Sequence, residues 1–363
     1  MNFYESESDF IVGKVGRLRR YLVCSMQGYF PVMVKTGGAG LAVIYRTGGP
    51  HMGTAGTLAV AFSENGGVSW SDPKEIAPRW DDARNPALGV NAEGHLIAAY
   101  CKAKPWYNQE ELKRGRIVWD NASGNAKIFY KISRDGGNTW GEEKSPEINI
   151  PGFDVYCPYG RIISDKDGVL YMSIYGGAKK ESGNRDGAYI IRSYDGGGTW
   201  GDASAFYDGF NEVAYVFLSG GAMVAAARAS DDKGYAVHTA KSGDGGKTWS
   251  APERVTRAGE HPADLCELAS GKLLLTYGRR IIPMGCGALV SRDGGETWDH
   301  DREILLAGDG GGGDLGYPST VQLADGTINT ALYYANGSEP AGPNWWGHVT
   351  CQLIKYNESD IMT

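Results

Sequence analysis

The sequence predicts an all-β fold, a six-bladed β-propeller, and two repeats along the chain predict it. One repeat is an octapeptide with the pattern Ser-x-Asp-Gly-Gly-x-Thr-Trp, and the other is a pair of apolar runs separated by a glycine turn. Repeated short units of this kind are typical of propellers and other repeat architectures. The 54 glycines, 21 tyrosines and 10 tryptophans among 363 residues suit many short strands joined by tight turns.

The octapeptide occurs five times, at residues 63–70, 133–140, 193–200, 242–249 and 291–298. Its Asp side chain can accept hydrogen bonds from backbone N–H groups of the turn, and its glycines accept positive φ. The Trp is expected to pack beneath the loop, and only the first copy departs, with Asn65 for Asp and Ser69 for Thr. We therefore expect a hairpin turn whose aspartates are structural and not catalytic. These aspartates are Asp135, Asp195, Asp244 and Asp293.

The second repeat gives the number of blades. Its six copies lie at residues 30–45, 86–100, 159–173, 213–226, 263–277 and 320–334. The sixth unit lacks the octapeptide but ends in a strand-like run at 349–356, and residues 10–24 remain unassigned at the start. We expect residues 10–24 to supply the outer strand of the last blade, because such closure removes an exposed sheet edge. The whole chain, 1–363, is then one propeller domain.

Charge and composition exclude several classes of partner. The net charge of -7 and pI of about 5.5 argue against nucleic acid, since binding of phosphates needs a basic surface. No apolar run approaches the ~20 residues of a membrane span, and the N-terminus lacks a signal-peptide pattern. The expectation is a cytoplasmic protein without a membrane partner, or a secreted or periplasmic one if a signal peptide has been removed. The six scattered cysteines show no metal-ligand spacing, so no metal or cofactor is predicted.

The repeat also predicts the place of a functional site. All inner strands run in one direction, so their starts and the ends of the second strands share one face near the axis. The strand starts carry Tyr29, Arg84, Tyr159, Arg161, Glu212, His261, Asp264 and Tyr317. The second-strand ends carry Arg46, with His51 just beyond, and Lys102, Tyr175, Arg228, Arg279 and Tyr333 or Tyr334. Because Arg pairs with carboxylates through planar hydrogen bonds, this ring predicts an anionic ligand, and a sugar carboxylate fits best.

The octapeptide turns and six repeat units resemble the sialidase (neuraminidase) superfamily, whose members are six-bladed propellers with such turns. The resemblance covers nearly the whole chain in architecture and part of the catalytic pattern. It implies a Tyr nucleophile, which is Tyr317 here, and a Glu that takes the proton of this Tyr, which is Glu212. It also implies that Arg228 and Arg279 are two of three arginines that bind the substrate carboxylate.

Two positions depart from the family pattern. The Arg-Ile-Pro motif that holds the family's first arginine corresponds to Tyr29-Phe30-Pro31, and His51 stands close to the place of the acid/base Asp. Imidazole can act near neutral pH as a general acid and then as a base. Either Arg46 or Arg84 replaces the missing carboxylate contact, or the substrate differs. Further pocket-lining residues are expected from the same ring, namely His261, Tyr29, Tyr159 and Arg161.

Three functions are compatible with these residues. The first is an exo-acting glycoside hydrolase that removes a terminal acidic sugar, sialic-acid-like or uronic, from a glycan or oligosaccharide. The second is a polysaccharide lyase in which His51 or His261, with Tyr317 or Tyr159, removes the C5 proton of a uronate. The third is a propeller that binds carbohydrate without turnover. The sequence predicts neither the sugar nor the oligomeric state.

Overall fold

The strands form six antiparallel blades. The structure is a computed structural model that describes residues 5–12, 14–25, 27–104, 107–116, 118, 127–151, 153, 157–177, 186–335 and 349–361, with side chains from Leu18 onward. The first strands are β1 (Glu5–Val12) and β2 (Lys14–Cys24). Blade 1 contains β3 (Tyr29–Gly37), β4 (Gly40–Thr47), β5 (Thr57–Ser63) and β6 (Lys74–Glu75). Blade 2 contains β7 (Ala83–Val90), β8 (Leu96–Lys102) and β9 (Ile128–Ser133). Blade 3 contains β10 (Cys157–Ser164), β11 (Leu170–Gly177), β12 (Asp186–Ser193) and β13 (Gly201–Asp208).

The second half of the chain repeats this order. Blade 4 contains β14 (Phe210–Phe217), β15 (Met223–Asp231), β16 (Gly234–Ser242) and β17 (Glu253–Arg254). Blade 5 contains β18 (Glu260–Glu267), β19 (Leu273–Arg279), β20 (Gly285–Ser291) and β21 (Ile304–Ala307). Blade 6 contains β22 (Gly316–Gln322), β23 (Thr327–Ala335) and β24 (Val349–Asn357). The helical elements are α1 (Gln109–Lys113), a 3-10 turn (His300–Arg302) and α2 (Glu358–Ile361). None of the helices in these described segments is long and apolar enough to cross a membrane.

The N-terminal segment closes the ring. Strand β2 pairs antiparallel with β24, from Arg19 opposite Lys355 to Cys24 opposite Cys351, and β1 continues the sheet outward. Blade 6 is thus built from both ends of the chain, as the sequence predicted. Closure in this way leaves the inner strands of all six blades around one axis.

The apolar core lies between the blades. Six separate clusters of buried side chains each join one blade to the next, and a seventh lies on the axis. The cluster between blades 6 and 1, which includes Leu353, Val321, Met33 and Val43, shows that the ring is continuous. Because each blade buries one face on each neighbour, no blade has a core of its own.

The octapeptide turns close the lower face of the propeller, where the third strands end. In the copy at 291–298, Asp293 Oδ1 accepts the Thr297 N–H at 2.9 Å and Oδ2 accepts the Thr297 hydroxyl. Ser291 Oγ donates to Asp293 and accepts the Gly295 N–H at 2.7 Å. The Trp298 ring then packs against the core between blades 4 and 5. The aspartates of these turns therefore hold the scaffold and lie on the face opposite the inner-strand starts.

Candidate active site

A β-bulge at the start of each inner strand directs side chains toward the axis on the upper face. The register between first and second strands shifts there in every blade. The residues with positive φ at this place are Phe30 (53°), Asn85 (49°), Gly160 (68°), Glu212 (47°) and Tyr317 (51°). Left-handed backbone is rare for residues other than glycine and is concentrated at functional sites, where the surroundings hold it. Glu212 and Tyr317 thus occupy equivalent positions of blades 4 and 6.

Glu212 joins Tyr317 to Arg228. The Tyr317 hydroxyl donates to Glu212 Oε1, and Arg228 Nη1 donates to Glu212 Oε2 at 2.7 Å. The Glu212 side chain is 4% exposed, so both of its oxygens are satisfied inside the protein. A carboxylate in hydrogen-bonding contact with a phenol is the arrangement needed to remove the phenol's proton.

The resting Tyr317 is a neutral phenol. Burial raises the pKa of Tyr317 above its ordinary value, and the negative charge of Glu212 raises it further. The positive charges of Arg228 and Arg280 act in the opposite direction but do not outweigh burial. Glu212 must accept the proton at the moment when the oxygen reacts.

Two guanidinium groups flank the tyrosine with unmatched donors. Arg228 lies 5.0 Å from the centroid of the Tyr235 ring, and Arg280 lies 5.9 Å from the centroid of the Tyr317 ring. Arg280 Nε donates to Leu315 O at 3.2 Å. Arg228 Nε and Arg280 Nη2 are buried and have no hydrogen-bond partner among the described residues. Buried donors of this kind are normally satisfied, so the pair can receive an anion.

Arg279, which the sequence predicted as an anion binder, points away from this site. Its Nη1 donates to Ile281 O at 2.9 Å and its Nε lies 3.4 Å from Glu260. The next residue, Arg280, takes the place beside Tyr317. A shift of one residue moves a side chain to the other face of a strand, and β19 ends at this point.

Arg46 and Arg84 belong to a buried structural network. Arg46 is fully buried, lies 2.6 Å from the Asp82 carboxylate, and donates to the carbonyls of Pro50 and Gly53. Arg84 lies 3.5 Å from the same carboxylate, which also accepts the Tyr107 hydroxyl. The expectation that Arg46 or Arg84 replaces the missing carboxylate contact is not supported by this geometry, because both guanidinium groups are buried and already contact the carboxylate of Asp82.

His51 lies in hydrogen-bonding contact with an acid that the repeat did not reveal. Its Nδ1 lies 3.0 Å from both oxygens of Asp314, and the Tyr333 hydroxyl donates to Asp314 Oδ1 at 2.6 Å. Burial opposes ionisation, but the hydrogen bonds and charge of His51, with Tyr333 and Arg280, hold the pKa of Asp314 below its ordinary value. Asp314 lies in a loop before β22 and directly follows a run of four glycines that occurs once in the sequence.

The predicted tyrosines Tyr29 and Tyr159 are part of the aromatic cluster on the axis. The Tyr29 ring centroid lies 5.6 Å from that of His51 and 5.4 Å from that of Tyr333. The Tyr159 hydroxyl donates to Ala263 O at 3.0 Å, and its ring lies 6.1 Å from that of Tyr317. These rings fill the axis beneath the site and leave a cavity of only ≈ 20 Å³ there. The site is therefore closed from below.

His261 lies near the arginines, whereas Arg161 does not. Burial, followed by the positive charges of Arg280 and Arg228, lowers the pKa of His261 to about 3, so its ring is neutral at physiological pH. Arg161 Nη2 donates to Asp264 Oδ1 at 3.2 Å and to a backbone carbonyl. Arg161 lines a separate cavity of ≈ 680 Å³ on the lower face, so the structure does not support it as a contact for a ligand beside Tyr317.

The described segments contain no group of three or more His, Cys, Asp or Glu side chains that could hold a metal ion.

Known proteins share this architecture. The family model for a BNR repeat-like domain matches residues 41–330. A sialidase of Micromonospora viridifaciens is 24% identical over 294 residues, which is 71% of this chain and 40% of that protein, so the chain spans about two fifths of its length. A crystal structure of a protein of unknown function from Dyadobacter fermentans has a TM-score of 0.76 and 22% identity, and covers 97% of this chain and 99% of that one. The Hadza microbial sialidase Hz136 has a TM-score of 0.70 and 19% identity, and the match covers 94% of this chain and 69% of that one.

The match to the family model covers most of the chain, and the structural likeness extends over nearly all of it. At these identities the structural likeness shows the fold alone. The chain belongs to the BNR repeat-like domain family of the sialidase superfamily.

Proposed function

We propose that the protein is an exo-acting glycoside hydrolase that removes a terminal acidic sugar, sialic-acid-like or uronic, with Tyr317 as nucleophile. The observation that carries the proposal is the hydrogen bond from Tyr317 to Glu212, flanked by unmatched donors of Arg228 and Arg280. The family membership and the curated sialidase relative support the reaction class.

The first half of the reaction forms a glycosyl–tyrosine bond. Glu212 takes the proton of Tyr317 as the phenol oxygen attacks the anomeric carbon. The bond from that carbon to the leaving-group oxygen breaks, and protonated His51 gives that oxygen its proton. A neutral phenol nucleophile suits a substrate that carries a carboxylate near the anomeric carbon, because a carboxylate nucleophile would be repelled more strongly. Glycosidases with a Tyr nucleophile are a known exception to the two-carboxylate pattern.

The second half reverses these roles. His51, now neutral, removes a proton from water, and the water oxygen displaces the phenol oxygen, which takes its proton back from Glu212. Two displacements at one carbon retain the anomeric configuration. Arg228 and Arg280 hold the sugar carboxylate throughout. The closed axis below Tyr317 favours a chain end over an internal residue.

The test is a panel of terminal sialosides and uronides of both anomeric configurations, with products followed by NMR. Wild type is expected to release the acidic sugar with retention, and Tyr317→Phe and Glu212→Gln are expected to be inactive. His51→Ala should lose most activity on alkyl glycosides and less on aryl glycosides, whose leaving groups need less protonation. Tyr334→Phe is the matched control, since the Tyr334 hydroxyl donates to Asp309 and not to Glu212.

Other outcomes identify the rival functions. An unsaturated uronate that absorbs in the near ultraviolet would assign a lyase. Binding without any turnover, unchanged in Tyr317→Phe, would assign a carbohydrate-binding propeller. Full hydrolytic activity of Tyr317→Phe would exclude Tyr317 as the nucleophile.

A further inference from the structure

His51 and Asp314 meet on the upper face from different blades. His51 follows β4 of blade 1, and Asp314 precedes β22 of blade 6. The two oxygens of Asp314 lie at equal distances of 3.0 Å from His51 Nδ1, with side chains 15% and 27% exposed. An ionised carboxylate can only accept hydrogen bonds, so the proton between the two groups belongs to Nδ1.

The carboxylate of Asp314 is itself held in place. The Tyr333 hydroxyl donates to its Oδ1 at 2.6 Å, and Tyr333 is fully buried in β23. The hydroxyl thereby supports both the position and the ionised form of the acid. A residue of blade 6 thus holds Asp314 in place independently of its contact with the imidazole.

Aromatic rings restrict the imidazole on its other sides. The His51 ring meets Phe30 edge to face, with centroids 4.8 Å apart and planes at 87°. The same Phe30 ring lies 4.9 Å from the Tyr317 ring. Phe30 therefore sets the spacing between His51 and the proposed nucleophile.

We propose that Asp314 is the positioning residue for His51, holding the imidazole as the Nδ1–H tautomer so that Nε2 is the nitrogen that exchanges the proton. The proposal rests on the acid/base role of His51 in the proposed function, and it gives that role to a His–Asp pair where the family uses a single carboxylic acid. The carboxylate also stabilises the imidazolium before its proton reaches the leaving group. A carboxylate that orients a catalytic histidine in this way acts through the choice of tautomer, so its amide variant keeps the shape and loses the function.

Asp309 provides a matched control in the same loop. Its carboxylate accepts the Tyr334 hydroxyl at 2.5 Å and lies 2.7 Å from Arg20. Asp309 therefore accepts from Tyr334 as Asp314 accepts from the preceding residue, Tyr333. Its second partner is an arginine where Asp314 has a histidine.

The experiment reads the tautomer of His51 directly, by long-range proton–nitrogen NMR of protein labelled with 15N-histidine. The His51 signals are assigned with His51→Ala. Wild type is expected to show His51 with Nδ1 protonated. Asp314→Asn is expected to show a mixture or the Nε2–H form, because an amide can either accept from Nδ1–H or donate to Nδ1. Asp309→Asn is expected to match wild type.

Turnover on the acidic glycosides is the second measurement. Asp314→Asn should lower kcat at least about tenfold with little change in KM, as the loss of an orienting partner typically does. Asp314→Glu should recover part of kcat, and Asp309→Asn should stay within about twofold of wild type. If Asp314→Asn fails to fold, Tyr333→Phe is measured instead. This variant is expected to keep His51 as the Nδ1–H tautomer and to lose less kcat than Asp314→Asn would.

The outcomes separate the two proposals. An unchanged His51 tautomer in Asp314→Asn overturns the positioning role whether or not the protein is active. A changed tautomer with unchanged kcat overturns it as well, since the tautomer then has no part in turnover. If Asp314→Asn changes the tautomer but wild type turns over no acidic glycoside, the positioning of the ring by Asp314 stands and the proposed function is wrong.

Discussion

The Tyr317 hydroxyl donates a hydrogen bond to the Glu212 carboxylate across the axis, from blade 6 to blade 4. Both residues have left-handed backbone, with φ of 51° and 47°. Each such residue costs about 1–3 kcal/mol and persists only where the surrounding structure holds it. The propeller therefore stabilises two strained residues so that one phenol and one carboxylate meet.

Substitution of Tyr317 by Phe tests this contact. We expect turnover to fall by at least about 10³-fold, as when other enzymes lose their nucleophile, with binding of the acidic product retained. The free energy of unfolding should fall by about 1–3 kcal/mol, because Glu212 then keeps only Arg228 as a partner. Steady-state kinetics and denaturant unfolding measure the two effects. A fall in turnover of less than tenfold would contradict the nucleophile assignment.

Substitution of Arg280 and of Arg279 by Lys separates the two neighbours. Arg280→Lys should raise KM for acidic glycosides about tenfold or more, because Lys cannot form the paired, planar contact with a carboxylate. Arg279→Lys should leave KM near wild type and lower thermal stability, since its guanidinium contacts Ile281 O and Glu260. The opposite pattern in KM would restore Arg279 as the carboxylate ligand.

Substitution of Arg46 by Met should destabilise the fold. The change leaves the fully buried Asp82 beside Arg84 alone, and loss of one partner of a buried ion pair costs about 3–5 kcal/mol. Urea unfolding of Arg46→Met and of the double variant with Asp82→Leu measures the coupling. The double variant is expected to lose further stability, because the buried Arg84 then loses its contact with Asp82 as well. If Arg46→Met were as stable as wild type and only weakened ligand binding, Arg46 would be an anion binder after all.

His261 makes stability depend on pH on the acid side. Its pKa in the folded protein is about 3, against an ordinary value of 6.5, so between these values the unfolded chain binds the proton and the folded chain does not. This contribution to stability is complete above about pH 6.5 and is lost as pH falls toward 3. We expect His261→Asn to flatten the dependence of the unfolding free energy on pH in this window. NMR titration should show the wild-type ring neutral at pH 5, and an imidazolium there would refute the assignment.

The repeat predicted the fold because each level of the sequence agrees with it. Glycine turns, apolar runs and octapeptides recur in order, so the number of blades and the closing strand follow from counting. The same register placed Glu212, Arg228 and Tyr317 on one face, and the structure brings these three together.

The remaining site residues lie where the repeat breaks. Arg280 lies one residue beyond β19, where strand alternation no longer decides which arginine faces the axis. Asp314 follows a run of four glycines that does not recur in the sequence of the other units, so no comparison between units could reveal it. A signal was present nonetheless, because Asp314 is an acid three residues before Tyr317 at the end of a run of glycines. Arg46 was misplaced because its partner Asp82 comes from the loop before the next blade, a contact that strand register does not predict.

The octapeptide aspartates should make the scaffold sensitive to acid. Hydrogen bonds from Thr297 lower the pKa of Asp293 to about 2, below its ordinary value of 3.8, so its stabilising effect is complete above about pH 4 and is lost as pH falls toward 2. Asp293→Asn should therefore lower the melting temperature at pH 7, and the difference from wild type should shrink at pH 2.5.

The first octapeptide copy allows the reverse substitution, because it has Asn where the other copies have Asp. The amide oxygen of Asn65 accepts the Ser69 N–H at 3.0 Å. Asn65→Asp with Ser69→Thr should raise the melting temperature at pH 7 and not at pH 2.5. The exposed Asp301, replaced by Asn, is the control. If this change lowered the melting temperature as much as Asp293→Asn, and with the same dependence on pH, the turn hydrogen bonds would not be the cause.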